Sequence, residues 1–148
     1  MSYRIFMRFP EGKAKALTFS YDDGVKYDAK LVEILDRYGM KGTFNLNSGC
    51  FKPADSASEK DEHMTKEEAT ALFLNSPHEV AVHAVNHPFL EELPPVLATE
   101  EVLNDRLNLE AQFGRIVRGM AYPQGTYSRE LLDVLKACGI AYARTIEA

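Results

Sequence analysis

The chain has 148 residues, 45% hydrophobic and 26% charged, and its 17 basic and 22 acidic side chains leave a net charge of −5. This is the size and composition of one globular domain, spanning residues 1–148, with enough apolar material to bury a core. The sequence has no basic run of the kind that tracks nucleic acid and no apolar stretch long enough to span a membrane.

The first residues, Met1-Ser2-Tyr3-Arg4-Ile5-Phe6-Met7-Arg8, lack the long apolar core of a signal peptide. Cys50 and Cys138 form neither a disulfide framework nor a CxxC metal motif, and read as thiols of a reducing compartment. The cytoplasm is therefore the expected location.

Short apolar runs alternate with amphipathic segments along the chain. Residues 16–21 predict the first strand. A helix follows from about Ala29 to Tyr38, with Leu31, Ile34, Leu35 and Tyr38 on one face and Gly39 as its stop. Residues 42–47 predict the second strand, and a longer loop runs to about Met64. Thr65-Lys66-Glu67-Glu68 opens the next helix with a capping-box pattern. That helix buries Ala69, Leu72 and Phe73 and ends before Pro77. Residues 79–83 predict a third strand. Thr99 is expected to begin the third helix, with Glu100 and Glu101 in its first turn. Residues 116–122 form a weaker strand pattern. Ser128 caps a helix through Cys138, Gly139 stops it, and residues 140–146 give the last strand. Phe6, Phe44, Phe73 and Phe113 are expected in the core. This β-α-β-α-β-α-β-α-β order implies a parallel sheet covered by helices, either open or part of a barrel.

The chemically distinctive residues gather at strand ends. Asp22 and Asp23 follow the first strand, His83 and His87 sit at and after the third, and Pro123 and Gly125 follow the fourth. Parallel α/β folds form their ligand sites along this edge. Two imidazoles and a carboxylate make a three-ligand set for a divalent metal, with a fourth position left for water. Such a metal acidifies the water and polarises a carbonyl. A neighbouring carboxylate then serves as general base. One Asp of the pair can bind metal while the other takes the proton, because adjacent residues at a strand end point in different directions. Taken singly, Asp-Asp-Gly reads as a turn and His-x-x-x-His as a chance spacing; together, at consistent strand ends, they make a site. His63 and His78 read as surface loop residues, and Glu67, Glu68, Glu100 and Glu101 as solvated helix faces.

These residues match a known family. Thr18-Phe19-Ser20-Tyr21-Asp22-Asp23-Gly24 resembles the first motif of the polysaccharide deacetylases (the NodB-type group, carbohydrate esterase family four). His83-Ala84-Val85-Asn86-His87-Pro88 resembles the second, metal-binding motif. Lys41-Gly42-Thr43-Phe44-Asn45-Leu46 looks like the family's second strand, and Tyr122-Pro123-Gln124-Gly125 like a divergent third motif. The resemblance runs from about residue 14 to the end.

It implies a (β/α) barrel of the seven-stranded deacetylase type, here a partial barrel of about five parallel strands. It also implies hydrolysis of acetyl groups from N- or O-acetylated carbohydrate. Position by position, Asp22 becomes the general base, and Asp23, His83 and His87 the metal ligands. The Gln124 backbone N–H becomes an oxyanion donor, and Tyr122 and Pro123 become substrate contacts. The cofactor is a divalent metal, zinc first, with cobalt, nickel, manganese or iron also suited.

The sequence departs from the pattern in two places. The family's third motif carries an Arg that steadies the base two residues before the Pro, and Ala121 stands there. Family domains also continue through two more strands, with a late acidic and aromatic motif and a histidine that acts as general acid; no residue here matches that histidine. The expectation is an N-terminal portion or short paralogue of the family domain whose open edge is covered by self-association. Two other functions fit the same site: an amidase acting on a small non-sugar C–N substrate, and a non-catalytic metal- or sugar-binding domain. An open flavodoxin-like sheet is disfavoured, because Asp-Asp-Gly stands where a glycine-rich phosphate loop would be.

Overall fold

A computed structural model describes residues 7–56 and 62–147. Phe6 lies outside the described residues. Five strands, β1 (Ser20–Asp22), β2 (Thr43–Leu46), β3 (Glu79–Val82), β4 (Gly119–Ala121) and β5 (Tyr142–Arg144), form one parallel sheet in the order β1-β2-β3-β4-β5. Between them run α1 (Asp28–Arg37), α2 (Lys66–Phe73), α3 (Pro95–Phe113) and α4 (Arg129–Ala137).

The sequential order settles the choice the sequence left open. Each strand adds to the same growing edge, so right-handed crossovers place every helix on one face. A doubly wound sheet would reverse direction, and this one does not. Curvature follows from a single contact. Arg144 on β5 pairs with Asp22 on β1, although a flat sheet would set those strands about 19 Å apart. No arginine side chain reaches that far, so the sheet is an arc and Arg144 crosses its concave side. The fold is half of a barrel.

The two faces of the arc differ as the pleat requires. Phe44, Leu46, Val80, Val82 and Met120 belong to the hydrophobic core with Leu35, Phe73, Val102, Leu109, Phe113 and Leu131 from the helices. Phe44 packs on Phe73 with ring centroids 4.8 Å apart, and Phe73 meets Phe113 edge-on. The intervening positions carry Ser20, Asp22, Asn45 and Arg144, which are hydrogen-bonded to one another. Gly119 lets Tyr142 lie across β4, where its hydroxyl donates to Glu79 on β3 at 2.6 Å. Burial and that bond push the Tyr142 phenol up to about 12.

Several expectations are corrected. The strands are shorter than their apolar runs, and β1 is displaced toward Asp22. The inward face of α1 is Asp28, Val32 and Leu35, with Leu31 partly buried, while Ile34 and Tyr38 are exposed. An offset of one residue turns a helical side chain by about 100°, enough to move Ile34 out. Helix α3 starts at Pro95 rather than Thr99, because proline suits the first helical position, where its missing N–H is no loss. The α2 capping box and the Ser128 cap of α4 are both present. His78 is buried rather than in a surface loop: its Nδ1 accepts the Gly42 N–H at 3.0 Å and its ring meets Phe44 edge-on. No helix among the described residues is long and apolar enough to cross a membrane.

Candidate metal centre

The Asp23, His83 and His87 side chains converge, with one ligand atom from each lying within 4.8 Å of the others. Asp23 Oδ1 stands 3.6 Å from His83 Nε2 and 3.5 Å from His87 Nε2. Ligand atoms around a tetrahedral divalent ion with bonds near 2.0–2.2 Å sit about 3.3–3.5 Å apart. The donor set and its spacing therefore fit such an ion.

Each candidate ligand is held by its backbone. Asp23 continues the β1 ladder by donating its N–H to Asn45 O, then turns at φ 74° with Gly24 following at φ 65°. Two successive left-handed residues fold the carboxylate back over the strand ends. His83 leaves β3 almost fully buried and donates its N–H to Leu46 O and Asp105 Oδ2. Its Nδ1 lies 2.8 Å from Ala121 O. A carbonyl only accepts, so Nδ1 carries the proton and Nε2 turns its lone pair toward Asp23. Burial pushes the His83 imidazole below its ordinary range despite the carbonyl's opposing pull. A neutral ring is what a metal ligand requires.

The loop to His87 is fixed by residues outside the triad. Asn47 Nδ2 donates to the His83 and Ala84 carbonyls. Asn86 donates its N–H and its side-chain amide to the Glu101 carboxylate. Glu101, partly buried on α3, is thus the anchor of this loop rather than only a solvated helix-face residue. Ala84 and His87 adopt φ 62° and 56°. Of the five non-glycine residues with positive φ among the described residues, Asp23, Ala84, His87 and Gln124 lie in these strand-end loops. Left-handed strain of this kind collects at functional sites.

Asp22 sits apart from the triad. Its Oδ1 accepts from Asn45 Nδ2 at 2.9 Å, and both of its oxygens accept from Arg144 Nη2. Arg144 Nε also donates to Ser20 Oγ. The guanidinium that the resemblance placed at position 121 thus comes from β5. The sequence showed Arg144 only as a basic residue in the last strand, and nothing local marks it, because the contact depends on curvature. Asp105 was also missed. It is fully buried on α3, where its two oxygens accept the Ser48 and His83 N–H groups, and burial raises its carboxyl to about 6.

The third segment is a tight turn over Pro123–Gly125, closed by Gly125 N–H to Tyr122 O. Gln124, at φ 61°, places its side-chain amide nitrogen 3.2 Å from His87 Nδ1. Tyr122 is buried in the core and stacks on Tyr127 at 5.4 Å, and Pro123 is buried beside it.

The fold finds counterparts among known proteins. The family model described as polysaccharide deacetylase matches residues 10–143. No curated sequence matches the chain. The Streptococcus pyogenes deacetylase PplD, solved in complex with acetate, superposes with a TM-score of 0.76 at 22% identity, covering 90% of this chain and 56% of its own. IcaB from Ammonifex degensii gives 0.76 at 18% identity, with 88% and 60% covered. A carbohydrate esterase family pseudoenzyme from Bacillus anthracis gives 0.65 at 17% identity, with 86% and 42% covered. At these identities the likeness is one of fold, and the chain spans between two fifths and three fifths of the length of these proteins. The matched segment takes in every loop of the Asp23-His83-His87 centre, and the half-barrel beneath it is the one these structures share, so the chain belongs to the polysaccharide deacetylase family.

Proposed function

We propose that the chain is a metal-dependent hydrolase that removes acetyl groups from N- or O-acetylated carbohydrate. The observation that carries this reading is the division between the two adjacent aspartates. Asp23 turns into the triad with His83 and His87, whereas Asp22 is held outside it by Arg144 and Asn45. Metal binding alone would not require a second, separately clamped carboxylate.

A divalent metal on Asp23, His83 and His87 would polarise the acetyl carbonyl and acidify a water. Zinc suits two imidazoles and a carboxylate, as do cobalt, nickel, manganese and iron. Asp22 accepts the proton of the attacking water as general base. Arg144 and Asn45 keep its carboxylate turned to one orientation while it does so. The Gln124 backbone N–H is assigned to the developing oxyanion. Tyr122 and Pro123 shape the wall behind it.

A second reading, a non-catalytic metal- or sugar-binding domain, draws on the histidines. His83 and His87 belong to the triad, His78 is buried against Gly42, and the His63 backbone pairs with Val25. None of the three side chains of His78, His83 and His87 is left to protonate a leaving group as the family's late histidine does. Self-association across the β5 edge, which pairs only with β4 among the described residues, belongs to the same proposal.

Acetate release decides between the two readings. The protein is supplied with zinc, cobalt or manganese and offered N-acetylated oligosaccharides, O-acetylated sugars, a generic acetyl ester and a small soluble acetamide. The proposal expects acetate from an acetylated sugar. Cleavage of the acetamide alone would instead support an amidase, and metal binding without any turnover would establish the binding reading.

A further inference from the structure

The two imidazoles of the triad are held in different ways. His83 Nδ1 meets a backbone carbonyl, Ala121 O, at 2.8 Å, which can only accept. His87 Nδ1 meets the side-chain amide of Gln124 at 3.2 Å. A carboxamide offers a donor at one end and an acceptor at the other, and a half-turn exchanges them. As the structure stands, the amide nitrogen faces Nδ1. If that nitrogen donates, Nδ1 accepts, the ring proton sits on Nε2, and Nε2 faces Asp23 Oδ1 3.5 Å away. In this arrangement the lone pair needed by a metal is on the wrong nitrogen. With the amide reversed, its oxygen accepts from Nδ1–H and the Nε2 lone pair faces the triad.

We propose that Gln124 is a positioning residue for the metal centre, whose side-chain amide selects the His87 tautomer and turns its oxygen to Nδ1 when a divalent metal binds. This inference rests on the Asp23-His83-His87 metal site proposed above. Backbone conformation supports it independently. Both partners of the bond, Gln124 at φ 61° and His87 at φ 56°, are held in the left-handed region. Glycine adopts that conformation at no steric cost. A long side chain there is disfavoured by the backbone, yet this one reaches the exposed ligand of the triad. His83 needs no such partner, because β4 supplies a carbonyl and burial excludes water; His87 is about a quarter exposed and has neither. Partners of this kind orient metal-bound histidines and change affinity by about 10- to 100-fold when removed.

Q124G tests this without endangering the fold, since glycine fits the left-handed turn. Zinc affinity, read by competition with a chelating dye, is expected to fall by about 10- to 100-fold, while the thermal midpoint holds or rises. Long-range 1H–15N spectra of the wild-type rings are expected to show the His87 proton on Nε2 without zinc and on Nδ1 with it. Q124E, which can only accept from Nδ1–H, is expected to hold the Nδ1–H form even without zinc. Wild-type zinc affinity in Q124G, or a His87 tautomer that is the same with and without zinc, overturns the proposal. H83A separates this from the parent reading. Unchanged zinc affinity in H83A sinks the metal site itself, whereas loss in H83A with no change in Q124G sinks only the role of Gln124.

Discussion

Asp28 gives the sharpest electrostatic prediction. It opens α1 with its side chain buried, accepts from the Val25 N–H, and leaves Oδ2 buried without a hydrogen-bond partner. Burial, reinforced by the charges of Asp23 and Asp22 and opposed by the Val25 bond, raises its carboxyl from 3.8 to about 7. Between those values the folded chain holds a proton that the unfolded chain has released. Stability therefore falls as pH rises through this window, by up to about 4 kcal/mol in total. Roughly 2–3 kcal/mol of that falls between pH 5 and pH 8. Asp28→Asn keeps the shape and the acceptor for Val25 while removing the charge. Urea unfolding of the metal-free wild type and variant, at several pH values from 5 to 8, reads the difference directly. The variant should gain on the wild type steadily as pH rises. A difference that stays flat across the window, or one that grows toward pH 5, would refute the electrostatic assignment of Asp28.

Three other perturbations follow from the same framework. Arg144→Ala frees the Asp22 carboxylate to rotate and should lower acetate release on the order of 10²-fold with zinc content unchanged; Arg144→Lys should restore it only in part, since an ammonium lacks the planar fork. Asp105→Asn turns an amide N–H toward either the Ser48 or the His83 N–H, so chemical denaturation should show a loss of about 1–3 kcal/mol, and zinc affinity should weaken with it. Gly119→Ala places a methyl group against the Tyr142 ring and hydroxyl; displacement of Tyr142 from Glu79 should cost about 1–3 kcal/mol in the same assay, and an unchanged midpoint would mean that the ring does not lie across β4.

The legibility of the site in sequence depended on how local each signal was. Asp22, Asp23, His83 and His87 stand at or just beyond the ends of apolar runs, so the alternation of such runs with helical segments already placed them at one edge. The cap residues Thr65 and Ser128 act within one helical turn, and their side chains meet the expected N–H groups. Arg144 and Asp105 were illegible for the opposite reason. Arg144 reaches Asp22 across 122 residues only because the sheet curves, and Asp105 reaches His83 only because α3 packs beneath the β3 loop. His78 looked like a loop residue because its burial comes from Phe44 and Gly42, contacts made across the chain. The start of α3 was marked locally, by Pro95 at its first position, but the acidic pair Glu100-Glu101 imitated a first turn one turn too late. Gln124 stood in the expected motif for its backbone, while its side-chain contact with His87 depended on a left-handed turn that no residue type at that position announces.

If the two adjacent aspartates do different work, zinc content and acetate release measured in parallel will separate Asp22→Asn from Asp23→Asn. Asp22→Asn is expected to retain its zinc and lose release by about 10²- to 10⁴-fold, whereas Asp23→Asn loses the zinc itself. Equal loss of zinc in both variants, or undiminished acetate release from Asp22→Asn, would contradict that division of work.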